Sequence, residues 1–118
     1  MCIRDRNKSI KVVDDQFGSP TWAPWLAKVI VSLLELDAKG IFNVSSKGEI
    51  SWYDFAREIV EQSKLDCVVK TQSTEELGRP ARRPKYSVLD KAKLVDFLNV
   101  ECITWKQCVK EHIEYCNE

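Results

Sequence analysis

Residues 51–63, SWYDFAREIVEQS, carry the start, the face and the length of an amphipathic helix. Ser51 is an N-cap with Asp54 three residues on, a near capping box, and Ile50 and Phe55 occupy the two positions of a hydrophobic staple. Trp52, Phe55, Ala56, Ile59, Val60 and Ser63 then recur on one side. Short apolar runs flank this helix, Ile41–Val44 before it and Cys67–Thr71 after it, and both read as strands. A helix between two such strands is the repeating unit of an α/β fold.

The rest of the chain extends that order. Ser9–Asp14 (SIKVVD) reads as a further strand, and Asp15–Thr21 (DQFGSPT) as a turn around Gly18 and Pro20. Thr21 is the expected N-cap of another helix, with Pro24 in its first turn. Trp22, Leu26, Val29, Ile30 and Leu33 form its apolar stripe, and it should end near Asp37, before Gly40. Gln72–Leu77 is polar and leads into a basic loop, and Tyr86–Leu89 reads as a brief extended piece. Asp90 is placed to cap a short helix to about Leu98, with Leu94, Phe97 and Leu98 inward. Thr104 caps a last helix carrying Trp105, Cys108, Val109, His112 and Ile113 on one face. Three short strands and four helices are therefore expected over residues 9–118.

Met1–Lys8 has no periodicity and is expected to be disordered or a non-native extension; MCIRDR resembles translated sequencing-adapter read-through. With 118 residues there is room for one domain. Lys plus Arg and Asp plus Glu number 18 each, and this zero net charge argues against a general nucleic-acid binder. No apolar run approaches the roughly 18 residues of a membrane span, and no signal peptide is visible. The five cysteines (Cys2, Cys67, Cys102, Cys108 and Cys116) form no C-x-x-C pair and read as reduced thiols of a cytoplasmic protein.

Chemistry of its own is hard to find in the chain. Gly18, Gly40, Gly48 and Gly78 lie too far apart for a dinucleotide-binding turn. No tyrosine belongs to a Tyr-x-x-x-Lys pair: Arg57 follows Tyr53 at that spacing, Asp90 follows Tyr86, and Tyr115 is too near the end. Cys108, His112 and Cys116 line one side of a helix at metal-ligand spacing, but one straight helix rarely encloses a metal, and they share the apolar stripe of Trp105. The expected reading is core packing and no metal site.

One stretch does concentrate charge. Gly78–Asp90 (GRPARRPKYSVLD) sets Arg79, Arg82, Arg83 and Lys85 around Pro80 and Pro84, with no carboxylate between Arg79 and Lys85. Each proline fixes its own φ and holds the preceding residue extended. Guanidinium forks in so small a volume match phosphate or carboxylate oxygens. A solvated basic loop is the other reading of the same residues.

Three blocks carry a family resemblance: VVDDQFGSPTWA (Val12–Ala23), GIFNVSSKGEISWYDFAREI (Gly40–Ile59) and RPARRPKYSVLD (Arg79–Asp90). Together, and in this order, they resemble the dTDP-4-dehydrorhamnose reductases, RmlD-like members of the extended short-chain dehydrogenase/reductases. The similarity runs from about Ser9 to the C-terminus and identifies the C-terminal, sugar-nucleotide-binding portion. The nucleotide-binding Rossmann half, with its glycine-rich turn and Tyr-x-x-x-Lys pair, is expected to be missing. The resemblance implies reduction of the C4 ketone of dTDP-4-dehydro-L-rhamnose by NADPH, in a full-length enzyme that forms a homodimer. It also implies magnesium, for which no residue set here is an obvious site.

By the same resemblance Arg83 or Arg82 contacts the diphosphate. Arg83 is preferred because it directly precedes Pro84. Gln16 is a further candidate, donating to a sugar hydroxyl or a phosphate, although turning the chain explains its surroundings as well. Trp22 and Trp52 have the chemistry to stack on a base or sugar, but their helical faces make core packing the expected role. The portion alone is expected to be inactive, with an unpaired sheet edge at Ile41–Val44. Two rival readings stand beside this one: a non-catalytic interaction module, like the β subunit of methionine adenosyltransferase, and a truncation without function.

Overall fold

Strand β1 (Ser9–Val13) alternates exposed Ser9 and Lys11 with partly buried Ile10 and Val12, the pattern of a strand covered on one face, and at its end Val13 is buried on the opposite face. It pairs in parallel with β4 (Val68–Gln72), in register from Ser9 opposite Val68 to Val13 opposite Gln72. Backbone bonds extend the ladder at both ends, from Val68 N–H to the Lys8 carbonyl at 2.7 Å and from Asp14 N–H to the Gln72 carbonyl at 3.0 Å. A two-residue antiparallel pair, β2 (Phe17–Gly18) with β3 (Ile50–Ser51), forms a second small sheet. Five helices complete the α/β fold: α1 (Ala23–Glu35), α2 (Trp52–Gln62), α3 (Thr74–Leu77), α4 (Ala92–Leu98) and α5 (Trp105–Cys116). These elements come from a computed structural model that describes residues 8–117, so the expectation for residues 1–7 lies outside the described residues.

Helix α2 has the expected start. Ser51 Oγ accepts from the Asp54 N–H at 3.1 Å, and the helix packs across β1, β4 and α5. Thr104 caps α5 in the same way through the Gln107 N–H at 3.2 Å. The main core lies elsewhere, where Val29, Leu94 and Cys102 are buried against Trp25, Leu33, Phe42, Val44 and Leu98. The molecule is a flat slab of 47 × 37 × 19 Å with a radius of gyration of 16.3 Å. A compact domain of this length would have about 13–14 Å, and the thin third dimension leaves many apolar side chains half-exposed.

Several expectations are corrected. Ile41–Val44 joins no ladder among the described residues. Phe42 and Val44 pack on the core, the Ile41 carbonyl accepts from Lys93 Nζ at 2.8 Å, and the apolar pattern reflects this packing rather than strand pairing. Thr21 does not cap α1, whose N-cap is Trp22 without a side-chain bond. Its hydroxyl instead donates to the Ser19 carbonyl at 3.0 Å and accepts from the Ser46 N–H at 3.2 Å, fastening the turn to a distant segment. Lys91 occupies the N-cap of α4, while Asp90, one residue earlier, still accepts from the Ala92 N–H at 2.9 Å. Phe97 and Ile30 are exposed rather than inward, although Phe97 keeps an edge contact with Phe42 at 5.3 Å. The polar lead-in at 72–77 contains the one-turn helix α3, capped by Ser73 and closed by Gly78 at φ 64°.

Candidate functional site

The segment after β1 brings distant parts of the chain together. The Asp15 carboxylate accepts from Thr74 twice, from its N–H at 3.1 Å and its hydroxyl at 2.5 Å. The Thr74 hydroxyl oxygen in turn accepts from Gln16 Nε2 at 3.2 Å. These bonds to Thr74, hydroxyl first and N–H second, hold the Asp15 carboxyl below its ordinary value, with a smaller contribution from Lys85. The Gln16 carbonyl accepts from the Trp52 N–H at 3.3 Å, satisfying a donor in the first turn of α2.

Phe17 anchors the basic loop. Its N–H donates to the Lys85 carbonyl at 2.8 Å, and its own carbonyl accepts from the Ser87 N–H at 2.9 Å and from Ser87 Oγ at 3.1 Å. The extended piece expected at Tyr86 is thus a parallel bridge to Phe17. Gly18 leaves room for this contact, since a Cβ there would stand 3.0 Å from Ser87 Oγ. At the loop's other end Gly78 takes the left-handed conformation that launches Arg79 away from α3.

Between β1, α2 and the basic loop lies a cleft of about 560 Å³. Gln16 and Arg83 both line it, with Lys11 and Arg79, and its lining contains no carboxylate. Among the ion pairs of the described residues, none involves Lys11, Arg79, Arg82 or Arg83. The cleft therefore offers cations that pair with no carboxylate among the described residues, and an amide, a set suited to phosphate oxygens. Arg82 is exposed and lies outside this lining.

Phe17 and Trp52 form the apolar part of the wall. Trp52, expected in the core, is 49% exposed. As the first residue of α2 it stands at the rim of that helix's packed face. The sequence places Arg79 in the anion-matching loop without marking it as a ligand contact, and it gives no sign of Lys11. The proline-bounded loop was a signal for Arg79, whereas nothing local marks Lys11 on an exposed strand position.

A further cavity, of about 450 Å³, lies between the start of α1, α2 and α5 and is lined by no Arg or Lys. The Trp22 indole N–H donates there to His112 Nδ1 at 3.1 Å, and Cys116 Sγ lies 3.5 Å from His112 Nε2. Cys108 is buried, and burial pushes its thiol up, as it does that of Cys102. Among the described residues no three His, Cys, Asp or Glu side chains come together as a metal site. Nor do the four glycines form a dinucleotide cradle: Gly18 lies in β2, and Gly40, Gly48 and Gly78 occupy separate positive-φ positions.

Residues 2–117 match the RmlD substrate binding domain family. The chain is 33% identical over 112 residues to the spore coat polysaccharide biosynthesis protein SpsK of Bacillus subtilis, covering 95% of this chain and 39% of that protein. A crystal structure of dTDP-4-dehydrorhamnose reductase from Clostridium acetobutylicum superposes with a TM-score of 0.90 and 37% identity, over 98% of this chain and 41% of its own. The Bacillus anthracis dTDP-4-dehydrorhamnose reductase, solved in complex with NADP, gives a TM-score of 0.86 and 33% identity, over 92% of this chain and 39% of its own. The chain thus spans about two-fifths of the length of these relatives.

Proposed function

This chain belongs to the RmlD substrate binding domain family, and we propose that it holds the diphosphate of a dTDP-sugar between Arg83 and Gln16, with Arg79 and Lys11 completing the grip. The observation that carries this reading is the cleft itself, which gathers three cations and no carboxylate. Two phosphates need compact, permanently charged donors, and the proline after Arg83 restricts the backbone from which its guanidinium is presented.

In a full-length protein the grip serves reduction of dTDP-4-dehydro-L-rhamnose by NADPH in the cytoplasm. This chain's residues bind and orient the sugar nucleotide. The chain by itself does not oxidise NADPH. Calorimetric titration with dTDP tests the grip. Arg83→Ala should weaken binding more than tenfold, the loss of a charged hydrogen bond of about 1.5–3 kcal/mol, and unchanged affinity would return Arg83 to the solvated loop.

A further inference from the structure

Trp52 is the feature that the diphosphate grip leaves unexplained. A tryptophan usually buries most of its ring, yet this one is 49% exposed and shares the cleft wall with Phe17, itself 39% exposed. Its position is fixed from several sides. Its N–H is bonded to the Gln16 carbonyl at 3.3 Å, its neighbour Ser51 is buried and caps α2, and its ring meets Phe55 at 6.0 Å in an edge contact. The result is a planar aromatic surface held in the same cleft as Arg79 and Arg83. At about 560 Å³ the cleft falls within the range of small-molecule sites, roughly 300–1,000 Å³, and has more room than a diphosphate requires.

A ligand with phosphates at one end and a flat ring at the other matches this wall. Resting on the diphosphate reading above, we propose that Trp52 is the stacking platform for the nucleobase of the bound nucleotide, with Phe17 as a second apolar contact. Trp52 then determines selectivity for a nucleoside diphosphate over a bare diphosphate. Stacking is tolerant of base identity because every base offers a π-face, so the platform recognises a nucleotide while other contacts choose among bases.

The test titrates the chain and its variants with dTDP and, separately, with inorganic pyrophosphate. Trp52→Leu should weaken dTDP about tenfold or more, the scale of one lost base stack, and leave pyrophosphate unchanged. Trp52→Phe should recover most of the dTDP affinity. Because dTDP carries no hexose, that loss places the nucleoside end of the ligand, not the hexose, on the indole, and recovery by the aromatic Trp52→Phe assigns the contact to the base. Equal losses with both ligands, or none with either, overturn the platform. The two readings fail separately: Arg83→Ala should weaken both ligands. If it weakens neither while Trp52→Leu still discriminates, the diphosphate grip falls and the platform stands. A chain that binds neither ligand overturns both.

Discussion

The Asp15 carboxylate and Thr74 are joined by two hydrogen bonds, at 3.1 Å from the backbone N–H and 2.5 Å from the hydroxyl. This link ties the end of β1 to the start of α3, and Gln16 is bonded to the same hydroxyl. Because both bonds favour the ionised carboxylate, Asp15 holds its proton less readily folded than unfolded, where its ordinary value is 3.8. Between the two values the unfolded state binds more protons, so stability rises with pH. The contribution is fully present above the ordinary value and is lost as pH falls through the folded one. Urea midpoints measured along an acid series should show this loss, and Asp15→Asn should flatten it. An unaltered slope in the variant would remove Asp15 as its source.

Ser46 fastens the turn before α1. It is completely buried; its hydroxyl donates to the Pro20 carbonyl, and its N–H donates to Thr21 Oγ1 at 3.2 Å. Ser46→Ala strips the Pro20 carbonyl of a buried donor and should destabilise the chain by about 1–3 kcal/mol in chemical denaturation. A change within a few tenths would mean that water replaces the hydroxyl.

Local chemistry was legible in the sequence where it was self-contained. Ser51 and Thr104 cap their helices as read, because a cap needs only its own next three residues. Ile41–Val44 resembles a strand because an apolar run reports packing, whereas a strand also needs a partner, and Phe42 and Val44 are partly buried against the core without one. Trp52 was misplaced for a related reason. Periodicity assigns a residue to a face, but its exposure depends on whether a neighbour covers that end of the helix. The site was half legible. Arg83 and Gln16 were each singled out, but their convergence depends on Phe17 bonding to Lys85 and Ser87, a pairing between distant segments that no spacing rule encodes.

Leu94 is the most buried apolar side chain among the described residues, at 2% exposure, and packs with Val29 and Cys102. So flat a molecule has little other core to share the loss. Leu94→Ala should cost about 2–5 kcal/mol, the range for emptying a well-packed leucine site. A melting curve that keeps its midpoint would show that the α1–α4 contact contributes little to stability.

The thiols should separate by accessibility. Cys116 is exposed at the end of α5, while Cys102 and Cys108 are buried and burial pushes both thiols up, which disfavours the reactive thiolate. Under native conditions a maleimide should therefore label Cys116 well before Cys102 or Cys108, as read by peptide mapping. In denaturant the three rates should converge, since the protection belongs to the fold and not to the residues. Cys108 lies between α5 and the Trp22 end of α1, so Trp22→Ala should open that contact and raise its labelling selectively. Native labelling of Cys108 as fast as Cys116 would mean that α5 detaches readily from the rest of the molecule.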